Sequence, residues 1–131
     1  MFLWRNWMIT VKIAGVKDLG EIISKIEDDS CRPQAEDILW IMWEKNQILG
    51  FGALFLNNGV KPEVRGIYIE NDPGDTLSIG MLKTMEDYLR QRNYEALWVR
   101  REKDKGLYKR YGFESDGTFL VKKIDPRAKG C

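Results

Sequence analysis

Without a single histidine in its 131 residues, this chain must do any acid–base chemistry with Glu, Asp, Tyr, Lys or water. A Ser-His-Asp or Cys-His arrangement and a His-ligated metal are excluded at once. Cys31 and Cys131 stand far apart, and neither has a Cys or His at metal-ligand spacing, so no structural zinc and no other metal is expected. The chemistry-bearing stretch is residues 64–113. There an apolar strand, a Pro-Gly loop, an amphipathic helix, a second strand and the run Leu107-Tyr108-Lys109-Arg110-Tyr111-Gly112-Phe113 follow in order. A strand that returns through a helix to a parallel neighbour aims the helix N-terminus, with its unpaired N–H groups, at whatever anion sits above the sheet. That order predicts a site for a phosphate-bearing cofactor.

The elements that must position this site can be read from periodicity. Ile9, Val11 and Ile13 alternate with Thr10 and Lys12 as in a half-buried strand, and Gly15 breaks it. Val16, Leu19, Ile22, Ile23 and Ile26 recur at spacings of three and four and predict a helix ended by Asp28, Asp29 and Ser30. After the loop Arg32-Pro33-Gln34, residues 38–43 and 48–56 are apolar on both alternating faces and read as strands buried on both sides. Glu44-Lys45-Asn46-Gln47 and Asn57-Asn58-Gly59 supply hairpin turns, so these strands and the next, 63–69, are antiparallel neighbours. Trp40 and Trp43 fall on opposite faces of one strand and are assigned to packing.

Glu70-Asn71-Asp72-Pro73-Gly74-Asp75 is a loop, and Thr76 or Asp75 is the expected cap of the following helix. Leu77, Met81, Leu82, Met85, Tyr88 and Leu89 form the buried face of that helix, and Asn93 ends it. A short strand at 96–99 then lies parallel to 63–69, because the crossover is long enough. A short helix through Tyr108 stops at Gly112, and a last hairpin turns at Asp116-Gly117 before a frayed tail from Asp125-Pro126 onward.

Composition narrows the function classes. Hydrophobic residues make up 44% and charged residues 31% of the chain, and no segment approaches the roughly 18 uninterrupted apolar residues of a membrane span. Met1-Phe2-Leu3-Trp4-Arg5-Asn6-Trp7 lacks the pattern of a secretory signal, so the expectation is a soluble, cytoplasmic protein without membrane association. The net charge of +1 lacks the basic excess of proteins that neutralise many phosphates, which makes nucleic acid an unlikely partner. Arg100, Arg101, Lys103, Lys105, Lys109 and Arg110, interleaved with Glu102 and Asp104, read as a solvated charged face, with contact to the cofactor's phosphates from the far wall as the alternative. An exposed edge strand, or the end that carries Trp4 and Trp7, offers a surface for a homodimer.

The order strand, helix, three antiparallel strands, helix, strand, helix and final strand pair resembles the GNAT superfamily of N-acetyltransferases over nearly the whole chain. The resemblance is carried by Glu63-Val64-x-x-Ile67-Tyr68-Ile69, by the loop and helix at 73–89, and by Leu107-Tyr108-x-x-x-Gly112-Phe113, which is similar to that family's tyrosine-to-Gly-Phe signature. It implies an α/β fold with a mixed, mostly antiparallel, splayed sheet flanked by helices on both faces, and a single GNAT-like acyltransferase domain spanning 1–131. It also implies an N-acetyltransferase that moves an acetyl group from acetyl-CoA, or another acyl-CoA, to an amine by direct attack.

In that family the splayed strand, here including Ile67, Tyr68 and Ile69, pairs with the pantetheine arm. Gly74, Asp75, Thr76, Leu77, Ser78 and Ile79 would offer N–H groups to the diphosphate. Tyr108 matches the family's acid. Glu63 lies where some relatives place the base, with Glu70 and Asp72 as alternatives. The family's Arg/Gln-x-x-Gly-x-Gly/Ala loop aligns with Pro73-Gly74-Asp75-Thr76-Leu77-Ser78, where the opening residue and both glycines are replaced. Glu70, Asp72 and Asp75 add negative charge there. This departure supports a second expectation, a non-catalytic GNAT-like binding or interaction module that has lost turnover.

Overall fold

The computed structural model describes residues 9–26, 32–56, 61–100 and 106–126. The expected turn at Asn57-Asn58-Gly59, the helix end at Asp28 to Ser30, the Trp4 and Trp7 end, the charged run 101–105 and most of the frayed tail lie outside them. Strands β1 (Ile9–Ala14), β2 (Ile38–Glu44), β3 (Gln47–Phe55) and β4 (Glu63–Ile69) are followed by helix α1 (Thr76–Gln91) and β5 (Ala96–Arg100). Helix α2 (Leu107–Tyr111), β6 (Glu114–Ser115) and β7 (Phe119–Lys123) complete the described chain. The strands form one sheet in the order β1-β2-β3-β4-β5-β7-β6. Every neighbouring pair is antiparallel except β4 and β5, which are parallel. Among the described residues no helix is long and apolar enough to cross a membrane.

The double-sided apolar pattern of β2 and β3 is explained by a core on each face. On one face Leu77, Met81, Leu82, Met85 and Leu89 of α1 pack on Trp40, Met42, Leu54, Val64, Leu97 and Val99, together with Tyr108 and Phe113. On the other, Leu19, Ile22 and Ile26 cover Leu39, Ile41, Phe51 and Ala53. Trp40 and half-buried Trp43 belong to opposite clusters, as the alternation requires. Gly52 lets α1 approach the sheet, because a Cβ there would come within 2.5 Å of Met81 Cγ and 2.7 Å of Met85 Cε.

The first helical segment differs from its expectation. Val16–Lys25 is a 3-10 helix interrupted at Gly20, whose φ of 61° and ψ of −135° lie outside any helix. Its buried residues Leu19 and Ile22 lie on either side of that break, while Val16 is exposed. Gly112 ends α2 in the left-handed conformation, as the sequence requires.

Two seams flank β4, and they are built differently. Against β3, the register runs from Gly50↔Ile69 to Ala53↔Gly66 and resumes at Leu54↔Val64, so Arg65 is an extra residue, a β-bulge. The bulge changes which face β4 presents. Val64 joins the α1 core, whereas Tyr68 packs on Phe51 in the opposite cluster. Against β5, the register consists of Glu63↔Trp98 alone, with the Trp98 N–H donating to the Pro62 carbonyl at 2.9 Å.

Candidate functional site

From the pin at Glu63 and Trp98, β4 runs on for six residues to Ile69 with no described residue of β5 in register beside it. The backbone of that free length can be oriented. The Glu70 N–H donates to the Leu49 carbonyl at 3.0 Å, and bonded and non-bonded pairs alternate along an antiparallel ladder. Tyr68 therefore faces β3 with its main-chain groups, while Ile67 and Ile69 turn theirs away from β3 toward the gap. Of the three β4 residues expected to hold an extended arm, two present backbone to it. Their side chains pack against the α1 core.

The gap opens toward the C-terminal end of β4, where the chain enters α1. The turn Pro73–Asp75 has Gly74 at φ 71° and Asp75 at φ 58°, both left-handed. Neither Asp75 nor Thr76 caps the helix with its side chain, contrary to expectation. The cap comes from Asp72. Its Oδ1 accepts the Leu77 N–H at 2.7 Å, and its Oδ2 accepts the Ser78 N–H at 2.8 Å and the Ser78 hydroxyl at 2.7 Å. The Asp75 N–H is engaged within the turn, donating to the Asp72 carbonyl at 3.1 Å. Two of the N–H groups expected to await an anion are thus already donating to a carboxylate. The Asp75 carboxylate pairs with Arg110 of α2.

Glu63 is buried at the pin, and its carboxylate accepts from Arg100 Nε at 2.9 Å. Because Leu54 faces the α1 core, its neighbour Phe55 and the opposing Glu63 face the other side. Tyr108 is buried on the α1 side, with its ring edge-on to Phe113 at 5.4 Å between centroids. Acid and base candidates therefore stand on opposite faces of the sheet, with the gap between β4 and β5 separating them. The alternative bases are engaged elsewhere: Glu70 pairs with Lys25 at 3.2 Å, and both oxygens of Asp72 belong to α1.

Sequence reasoning missed three participants. Arg65, the bulge residue, clasps the fully buried Asp37 carboxylate through Nε and Nη2, each at 3.0 Å, while its guanidinium lies 4.8 Å from the Phe55 ring centroid. This raises the Arg65 pKa above its ordinary value, the hydrogen bond to Asp37 being the main cause. Arg100 and Arg110, read as solvated, hold Glu63 and Asp75. Asp-Pro-Gly-Asp at a helix entrance was the one signal that could have exposed the role of Asp72. Among the described residues no group of three or more His, Cys, Asp or Glu side chains could hold a metal ion.

The fold as a whole recurs in solved structures. The fold is that of the GNAT N-acetyltransferases. An N-acetyltransferase from Staphylococcus aureus Mu50 matches with a TM-score of 0.69 and 16% identity, over 89% of this chain and 98% of that one. A GNAT family N-acetyltransferase from Escherichia coli in complex with CoA matches with a TM-score of 0.69 and 15% identity, over 99% of this chain and 89% of that one. The ribosomal-protein-S18-alanine N-acetyltransferase from Escherichia coli matches with a TM-score of 0.66 and 14% identity, over 90% and 95%. No protein-family model matches the sequence, and no curated protein matches it. In the GNAT fold of this chain, the helix entrance carries a carboxylate of its own.

Proposed function

We propose that this chain is an acyl-CoA-dependent N-acyltransferase that moves an acetyl group from acetyl-CoA to an amine by direct attack. The observation that carries the reading is the open seam. Ile67 and Ile69 turn main-chain donors and acceptors into a gap that β5 leaves unfilled beyond Trp98, and an extended ligand is recognised at a strand edge by such groups. The fit is uneven along the cosubstrate. The gap suits a pantetheine arm, but the helix entrance, occupied by Asp72, does not suit a diphosphate.

Bound in the gap, acetyl-CoA would supply an activated acyl carbon. Glu63 accepts a proton from the attacking amine, directly or through water, while Arg100 fixes its carboxylate. Tyr108 donates a proton to the departing thiolate. This reading assigns proton removal and proton delivery to opposite faces of the sheet. Leu77 and Ser78 take no part in this chemistry.

Titration with acetyl-CoA, followed residue by residue by amide NMR, tests the reading. Saturable shifts confined to Ile67, Ile69 and their neighbours are expected. Unchanged spectra at millimolar acetyl-CoA would rule it out. Against a panel of amines, Tyr108→Phe should slow thiol release by about 10²-fold while leaving acetyl-CoA affinity unchanged. A second reading, a GNAT-like binding module without turnover, is favoured by the Asp72 carboxylate at the helix entrance. It predicts no thiol release with any amine.

A further inference from the structure

We propose that Asp72 is a built-in anion standing where a ligand's diphosphate would be held, so that the chain grips an acyl thioester by its pantetheine arm alone. The inference rests on the acyltransferase reading above and concerns the specificity of that same site.

The hydrogen bonds carry the argument. An ordinary N-cap side chain accepts from N–H groups two or three residues ahead. Asp72 instead reaches over Pro73-Gly74-Asp75 to the fifth and sixth residues beyond it, Leu77 and Ser78. The left-handed conformations of Gly74 and Asp75 fold the turn back so that this reach is made. The carboxylate thereby meets the start of α1 as a separate anion would, with one oxygen on each of two successive N–H groups. Ser78, itself buried, directs its hydroxyl to the same oxygen.

A phosphate oxygen approaching Leu77 and Ser78 would have to displace the carboxylate or lie against it, like charge on like charge. Arg110, the described cation at this entrance, does not relieve this, because it is paired with Asp75. Among the described residues, no carboxylate is paired with the main-chain groups of Ile67 and Ile69 in the gap. The two ends of a CoA-like ligand thus meet opposite receptions, and discrimination between CoA and its shorter pantetheine fragment should be lost.

Calorimetry with CoA and with pantetheine, on the wild type, Asp72→Ala and Asp72→Asn, tests this. The wild type should bind the two compounds within about threefold of each other. Asp72→Ala should bind CoA about tenfold more tightly or better and pantetheine as before. Asp72→Asn keeps an acceptor oxygen for the helix while removing the charge. It should also tighten CoA, which guards against a folding defect in the alanine variant, with melting curves as the check. A wild type that prefers CoA by tenfold or more, or variants whose CoA affinity is unchanged, would overturn the role of Asp72 and leave the acyltransferase reading standing. Failure of all three proteins to bind either compound would overturn that reading instead.

Discussion

Strand β4 has two edges, and the chain treats them in opposite ways. Along β3 it is paired from Phe55↔Glu63 to Gly50↔Ile69 and interrupted only by the bulge at Arg65; along β5 it is pinned once, at Glu63↔Trp98. The same strand is a structural element on one side and an open edge on the other. What holds β5 and its partners in place is therefore not the ladder alone but α1, which packs on both halves of the sheet. Tyr111 of α2 donates to Glu86 of α1 at 2.6 Å, and Lys122 of β7 pairs with the same carboxylate at 3.4 Å. A sheet can part in the middle when a helix spans the break, and this explains how β4 keeps an edge that no described residue of β5 pairs beyond Glu63.

The contrast can be broken most severely at the bulge. Arg65→Ala removes the cationic partner of a fully buried carboxylate, Asp37, which keeps only the Gln34 N–H among its described donors, and should lower unfolding free energy by about 3 kcal/mol in a denaturant titration. Next comes the closed seam. A Cβ at Gly50 would lie 2.1 Å from the Tyr68 carbonyl oxygen and 2.6 Å from Ile69 Cα, both backbone atoms that cannot swing aside. Gly50→Ala should therefore cost about 2 kcal/mol, read in the same titration. If it is tolerated without loss, the closed seam is looser than described.

The difference between the edges should also appear residue by residue. Amide exchange at Ile67 and Ile69 is expected to run about tenfold or more faster than at Tyr68, whose main chain faces β3. Equal protection at all three positions would mean that the β5 side is occupied. At the pin, Arg100→Ala leaves Glu63 without its cation, but Arg100 is 55% exposed, so solvent screening limits the loss to about 1 kcal/mol at most.

The smallest effect concerns the helix that bridges the gap. Burial, followed by the hydrogen bond to Glu86, raises the Tyr111 pKa well above that of a free phenol. A folded pKa raised above the unfolded value gives stability that is fully present below the unfolded tyrosine pKa of about 10 and is lost as pH rises beyond it. Unfolding free energy should accordingly fall above about pH 10, and Tyr111→Phe should flatten that decline.

How much of this was legible beforehand follows from the range of each interaction. Alternation in 38–43 and 48–56, the turn at Lys45 and Asn46, and the stripe from Leu77 to Leu89 are local patterns, and they gave the strands, α1 and their order directly. The absence of histidine excluded whole classes of catalyst. Gly112 and Gly117 announced their positive φ angles because little else adopts them comfortably.

Tertiary structure decided the rest. Arg65 becomes a bulge only when β3 and β4 are in register, and its partner Asp37 lies 28 residues away. The parting of β4 from β5 is a relation between strands that no single stretch encodes. Asp72 is the instructive intermediate: its targets are five and six residues off, yet its reach depends on Asp75 taking a left-handed conformation. A non-glycine side chain does not advertise that conformation. Residue type fixes what a group can donate or accept, whereas the fold fixes which partner reaches it first.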